Sequence, residues 1–227
     1  MIQPMVADVS KAAVYEGFGN RALLRSVLDQ LPPGGTVLDV GCASGGLLAA
    51  LEGRAGRRVG IEPDPVAAAA ARRHADEVHV GSVHDVSLGD QRFDVVVLGD
   101  VLEHVADPDR ALLRAARWVT PGGRLVISVP NVAHWSIRLE ILRGRWEYRA
   151  SGILDDTHLR FFTWHSGADL VTRAGLAAVE RRPVISGLGA HLGRRVPGRV
   201  EGLWRRIGRR RPNLFAYQQL IVAEVPS

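Results

Sequence analysis

The sequence has one cysteine, Cys42, one lysine, Lys11, and no apolar run approaching the roughly 20 residues a membrane-spanning helix needs. A lone cysteine excludes a disulfide framework and suits a reducing compartment. Met1-Ile2-Gln3-Pro4 lacks the basic stretch and apolar core of a secretory signal. Internal repeats and low-complexity linkers are also missing. These absences predict a soluble, cytoplasmic protein. At 227 residues and 46% hydrophobic, the chain can fill the core of one α/β domain, so 1–227 is read as a single unit.

Because lysine is nearly absent, the formal charge of +5 is carried by arginine. Between Arg194 and Arg211 eight arginines accompany one acid, Glu201, and Val200, Leu203, Trp204 and Ile207 recur at helical spacing. The segment 194–211 therefore predicts a basic amphipathic helix. Two readings of it stand. Its apolar stripe packs on the body of the protein with the arginines solvated, or it meets an anionic membrane surface or a phosphate-bearing substrate.

Elsewhere strand and helix signals alternate, which predicts a parallel sheet with helices on both faces. A helix is expected over Ala12–Leu31, within an N-terminal cap of residues 1–32. Strand-type runs fall at Val37–Val40, Arg58–Ile61, Glu77–Val80, Phe93–Leu98, Arg124–Val129, Ala177–Ile185 and Phe215–Val225. Helices are expected at Ala67–Ala75, from Asp107 to about Trp118, and at Ser166–Ala174. Asp107-Pro108-Asp109 supplies the acids and proline that favour a first turn.

The richest stretch is Val37-Leu38-Asp39-Val40-Gly41-Cys42-Ala43-Ser44-Gly45-Gly46. An apolar strand ends in an acid, a small-residue turn follows, and a helix starts where free backbone N–H groups receive a polar ligand. Glu62 closes the next apolar run, where a carboxylate can accept both hydroxyls of a ribose. A dinucleotide fingerprint would read G-x-G-x-x-G. Here the loop reads D-x-G-x-x-x-G, and Asp39 would repel a pyrophosphate but pair with an ammonium group.

This pattern resembles motif I of the class I S-adenosylmethionine-dependent methyltransferases. Phe93–Leu98 with Asp100-Val101-Leu102-Glu103-His104-Val105 is similar to motif IV of that family, and Pro121-Gly122-Gly123-Arg124-Leu125 to its motif V. The resemblance covers about residues 33–225. It implies a Rossmann-like, doubly wound, seven-stranded and mostly parallel sheet, with the last strand antiparallel between its neighbours. Pro130–Trp135 and Asp156–Thr163 are similar to MetW-like and ubiquinone-biosynthesis O-methyltransferases.

By the same resemblance, Asp39, Gly41, Cys42, Ala43 and Gly45 surround the methionine part of S-adenosylmethionine. Glu62 takes the ribose, Pro63 lies beside the adenine, and Ser82 and Val83 sit at its edge. Ser82 departs from the acid that relatives often carry there; Asp85 is a candidate substitute.

Chemistry is expected at the carboxyl ends of the fourth and fifth strands. Spacings of three and four residues put Asp100, Glu103 and His104 on one face of a helical turn. His104 is the first choice for general base and His158 the second. Alternatively, Asp100-x-x-Glu103-His104 with His158 is similar to the magnesium pattern of small-RNA 2′-O-methyltransferases, so that these four residues hold a divalent metal. A purely structural role for the cluster is the third reading.

The segment 131–165, with Trp135, Trp146, Tyr148, Phe161, Phe162 and Trp164 among several arginines, is expected to form a lid that selects the acceptor. Tyr15–Phe18 is a candidate for the opposite wall, and His134 for a core-edge histidine bonded to backbone. The function expected is O-methylation of a small hydroxylated molecule: a sugar, a glycolipid intermediate or a secondary metabolite. The alternatives are a MetW-like accessory protein working through a partner enzyme and, ranked last, an RNA 2′-O-methyltransferase, since no RNA-binding module is present.

Overall fold

The computed structural model describes residues 20–193 and 195–225, so most of the N-terminal cap, with Tyr15–Phe18, lies outside the described residues, as does Arg194. In chain order the elements are α1 (Asn20–Gln30), β1 (Thr36–Val40), α2 (Gly46–Ala50), β2 (Arg57–Glu62), α3 (Pro65–Ala71), β3 (Glu77–Val80), β4 (Phe93–Gly99) and α4 (Pro108–Ala116). There follow β5 (Val119–Pro130), α5 (Trp135–Leu142), α6 (Trp164–Arg173), β6 (Ala177–Ile185), α7 (Leu188–Leu192), α8 (Gly198–Arg210), α9 (Pro212–Phe215) and β7 (Ala216–Glu224).

The seven strands form one sheet in the order β3-β2-β1-β4-β5-β7-β6. The first five are parallel, and β7 runs antiparallel between β5 and β6. Strand order reverses between β1 and β4, which opens a crevice at their carboxyl ends. Successive strand side chains point to opposite faces, and both faces are covered. Leu38, Val40, Val96, Leu98, Leu125 and Ile127 pack with α4 and α6 on one side. Val37, Val95, Val97 and Val126 pack with Leu23 and Val27 of α1 on the other. Continuous β-branched runs such as β4 are what a sheet covered on both faces requires.

Helix starts follow local chemistry. Asp64 caps α3 by accepting from Val66 N at 2.9 Å, with Pro65 in the first turn. Asp107 caps α4 from Arg110 N at 3.0 Å beside Pro108. Thr163 and Ser166 form a capping box at α6. At the other end of the sheet, Asp94 Oδ2 accepts from Thr36 N at 2.7 Å and Thr36 Oγ1 at 2.9 Å, locking β4 to β1.

Several bounds differ from the sequence reading. α3 ends at Ala71, four residues early, because Arg72–His74 form a turn that delivers the chain to β3. β5 begins at Val119, with a register shift opposite Phe93/Val95 that absorbs Pro121-Gly122-Gly123 inside the strand. The basic segment is helical only from Gly198, after Pro197. Residues 100–106 form turns and bends instead of a helical turn, because Asp100 adopts a left-handed φ of 56°.

Gly45 precedes α2 at φ 86°, and a Cβ there would lie 3.0 Å from Ala71 Cα. Gly45→Ala is expected to cost about 2 kcal/mol of stability, since it combines left-handed strain with a backbone clash. Urea unfolding measures this; an unchanged midpoint would show that the β1–α2 turn relaxes freely.

Candidate functional site

At the carboxyl ends of β1, β2 and β4 lies a cavity of about 500 Å³, a size typical of ligand sites. Two buried carboxylates organise one end. Asp39 is the fourth residue of β1, and Glu62 is the last of β2. Glu62 Oε2 accepts from Ala43 N at 2.8 Å and Oε1 from Asp64 N at 2.9 Å, so one side chain ties the β1–α2 turn to the β2–α3 turn. The turn itself is pinned from below: Gly41 N and Cys42 N both donate to Ile61 O, at 2.7 and 3.1 Å. Gly41 sits at φ 73° against Val101, where a Cβ would approach Val101 Cγ2 to 2.7 Å, and Ala43 is also left-handed.

Burial raises the Asp39 carboxyl to a pKa of about 7, with the negative Glu62 adding to the rise. Glu62 is raised as well, first by burial, while the Asp64 and Ala43 amides pull it back. Burial also pushes the Cys42 thiol far up, so it is an inert small side chain packed against Gly60.

Asp39, Gly41, Cys42, Ala43, Glu62 and Pro63 line this end of the cavity, and Ser82, Val83, Asp100 and His104 line the rest. Gly45 is not a lining residue; its Cα lies against α3. Ser82 Oγ donates to Asp85 at 2.5 Å and accepts from His84 N at 3.2 Å.

Asp100, Glu103 and His104 do not share one face. The left-handed backbone at Asp100 turns its carboxylate toward β5 and β7, where it accepts from Ser128 Oγ at 3.0 Å and from Gln218 Nε2. Burial raises its pKa despite these two donors. Glu103 is 1% exposed, and among the described residues neither carboxylate oxygen has a hydrogen-bond partner. Burial, reinforced by Asp100, raises it well above the usual carboxylate range. With His158 it borders a separate small pocket lined also by Ile153, Phe161 and Phe162.

Potential ligand atoms of Glu103, His104 and His158 lie within 4.8 Å of one another, without Asp100. His158 Nδ1 donates to Ile153 O at 3.1 Å, and burial lowers its pKa, with His104 adding to the fall. The two imidazoles meet edge to face, ring centroids 4.8 Å apart.

The sequence reading missed Asp155 and Thr157, which also line the cavity. Asp155 Oδ1 accepts from Thr157 N at 2.8 Å and from Thr157 Oγ1 at 2.5 Å. Thr157 Oγ1 stands 3.2 Å from His104 Nδ1, and Thr157 O stands 3.3 Å from it. The Asp-x-Thr spacing is a local turn signal, but nothing in it points to a histidine more than fifty positions upstream.

The aromatic residues of the insertion divide. Phe162 is buried, and Trp164 stacks under Arg181, 4.2 Å from guanidinium to ring centre. Trp146 and Tyr148 are exposed and touch Phe161. His134 is fully buried at the start of α5, its Nδ1 engaged by Ser136, and burial lowers it to a pKa of about 4. It lies outside the cavity.

Comparison with known proteins gives these features a context. A family model described as a methyltransferase domain matches residues 15–181. A ubiquinone biosynthesis O-methyltransferase of Azorhizobium caulinodans is 33% identical over 150 residues, which are 63% of this chain and 58% of the relative. The chain thus spans less than two thirds of that relative's length. A solved S-adenosylmethionine-dependent methyltransferase from Archaeoglobus fulgidus superposes with a TM-score of 0.68 at 16% identity, covering 96% of this chain and 100% of the other. The N-methyltransferase NodS of Bradyrhizobium japonicum, solved with S-adenosyl-L-homocysteine, superposes with a TM-score of 0.61 at 18% identity, covering 92% and 86%. These last two likenesses establish the fold. The matched family model spans more than half of the chain, which therefore belongs to the methyltransferase-domain family, on the fold of the class I S-adenosylmethionine-dependent methyltransferases.

Proposed function

We propose that the chain moves the methyl group of S-adenosylmethionine to a hydroxyl of a small acceptor, a sugar, glycolipid intermediate or secondary metabolite, with His104 as general base. The carrying observation is the hydrogen-bond chain Asp155–Thr157–His104 at the cavity wall. The Thr157 hydroxyl has one proton, and the acceptor-only Asp155 carboxylate takes it. Thr157 Oγ1 and Thr157 O therefore both present lone pairs to His104 Nδ1, which must carry hydrogen. That leaves the Nε2 lone pair as the base.

The donor is held at the other end of the cavity. Asp39 pairs with its ammonium, directly or through water, and Glu62 accepts the ribose hydroxyls while its amide bonds keep it in place. Pro63 and Val83 flank the adenine, and its amino group donates to Ser82 Oγ. In the transfer the acceptor oxygen attacks the methyl carbon in line with the sulfonium. The O–C bond forms as the S–C bond breaks, the hydroxyl proton passes to His104 Nε2, and a neutral thioether leaves. Alignment supplies much of the rate, and proton removal about 10²–10⁴-fold. The insertion 131–165 forms the acceptor side, with Trp146 and Tyr148 as the exposed rings available to it.

The unpartnered oxygens of Glu103 favour a second reading. One buried carboxylate and two imidazoles fit a divalent ion's donor set. Glu103, His104 and His158 would hold it, and it would polarise the acceptor oxygen and lower its pKa. Asp100, committed to Ser128 and Gln218, is left out of that set.

Four outcomes are expected. Donor affinity by calorimetry should rise with pH up to about 7, because below that the empty protein's Asp39 is protonated and binding must expel a proton. It should fall again above about 8 as the donor's ammonium deprotonates. Asp39→Asn should remove the rise and Glu62→Ala should weaken binding more than about tenfold, a loss of about 1.4 kcal/mol; unchanged affinity in both contradicts the donor assignment. His104→Ala should lower turnover of an acceptor found by screening at least about 100-fold with donor affinity kept. Nitrogen NMR should find hydrogen on His104 Nδ1 in the wild type and a mixed tautomer in Thr157→Val. Finally, EDTA treatment that leaves turnover intact, with no bound metal by elemental analysis, discards the metal reading.

A further inference from the structure

The basic helix α8 does not pack as its apolar pattern suggests. Its contact with the body runs through Trp204, whose Nε1 donates to Ser186 O at 2.9 Å and whose ring meets Phe215 edge-on at 4.9 Å. Gly208 lies against Ile185, where a Cβ would already be 3.0 Å from the side chain, and Glu201 accepts from Leu188 N at 3.0 Å. The remaining apolar residues face away: Val200 is 45% exposed, Leu203 58% and Ile207 42%. Spaced three and four apart, they form one stripe along the helix surface. Leu192 of the preceding α7 is exposed as well.

Arginines border this stripe. By helical geometry Arg199, Arg206 and Arg210 fall along one side of it, and Arg209 continues the basic face. Among the described residues, Arg205 is the one arginine of α8 in an ion pair, with Glu201. Glu201 is the helix's sole acid and is spent on Arg205 and Leu188 N. The outward surface is thus apolar and positive with no internal counter-charge.

We infer that this face docks on an anionic membrane surface. A bilayer interface offers acyl boundary to Val200, Leu203 and Ile207 and headgroup phosphates to the arginines beside them. The charge complementarity is one-sided, since the helix presents no acid outward to repel a phosphate layer. No helix among the described residues is long and apolar enough to cross a membrane, so the contact is interfacial. This inference is independent of the acceptor and of the base.

The test is co-sedimentation of the full chain with vesicles of phosphatidylcholine alone and of phosphatidylcholine containing about one third phosphatidylglycerol. Binding is expected to the anionic vesicles only, weakening in high salt. Leu203→Glu with Ile207→Glu should reduce the partition coefficient more than about tenfold with the thermal midpoint retained. Arg206→Gln should reduce it about fivefold, and Leu203→Ser provides a milder variant should the double substitution not fold. Absence of binding, equal binding to neutral vesicles, or wild-type binding by the glutamate variant overturns the inference. Salt-sensitive binding of RNA or of an acidic protein without any vesicle binding overturns it too, and assigns the arginines elsewhere.

Discussion

The end of the crevice at β1 and β2 depends on one carboxylate. Glu62 is the last residue of β2, and its two oxygens hold the amides of Ala43 and Asp64, one in each of the turns that rim the cavity. Those bonds fix two loops relative to each other with no covalent link and position Glu62 8% exposed beside Asp39. Two acids so close, both raised by burial, make the empty pocket electrostatically costly above neutral pH. That cost is what a cationic ligand offsets. The sheet holds the pair in place: β1 and β2 are adjacent parallel strands, with Asp39 opposite Gly60 and Val40 opposite Ile61.

The other side of the crevice depends on a tie between distant segments. The backbone carbonyl of Glu103 accepts from Leu159 N at 2.8 Å and Arg160 N at 3.0 Å, joining the turn after β4 to the end of the insertion. Thr157 then meets His104, and His158 meets it edge to face. The Asp100 carboxylate is held by Ser128 of β5 and Gln218 of β7. The antiparallel strand β7 therefore shapes the site as well as closing the sheet, because Gln218 supplies one of the two side-chain donors that hold the Asp100 carboxylate.

Much of this was readable before any coordinates. Strand-type runs match the observed strands at β3 and β6, and Asp107-Pro108 marks the start of α4, whereas α3 begins at Pro65, two residues before the expected Ala67. The D-x-G-x-x-x-G turn and Glu62 in register located the crevice, because a turn that needs left-handed residues declares itself through Gly, as at Gly41 and Gly45. The reading failed where non-local contacts decide. Residues 100–106 have helical spacing but take no helix, since Asp100 finds better partners in other strands. Asp155 and Thr157 carry no such signal, because their significance arises only when the insertion folds back on His104.

The basic helix makes the same division visible. Periodicity alone determined that Val200, Leu203, Trp204 and Ile207 share a side of a helix, and composition that arginines surround them. Which of the four is buried could not follow from period, since a helix can roll about its axis without changing its pattern. The tertiary structure decided it: Trp204 found the carbonyl of Ser186, Gly208 admitted Ile185, and those close approaches left the other three in solvent. Local chemistry thus determined elements, caps and the acid-bearing turn, while pairing between distant segments decided which side chains meet and which face outward.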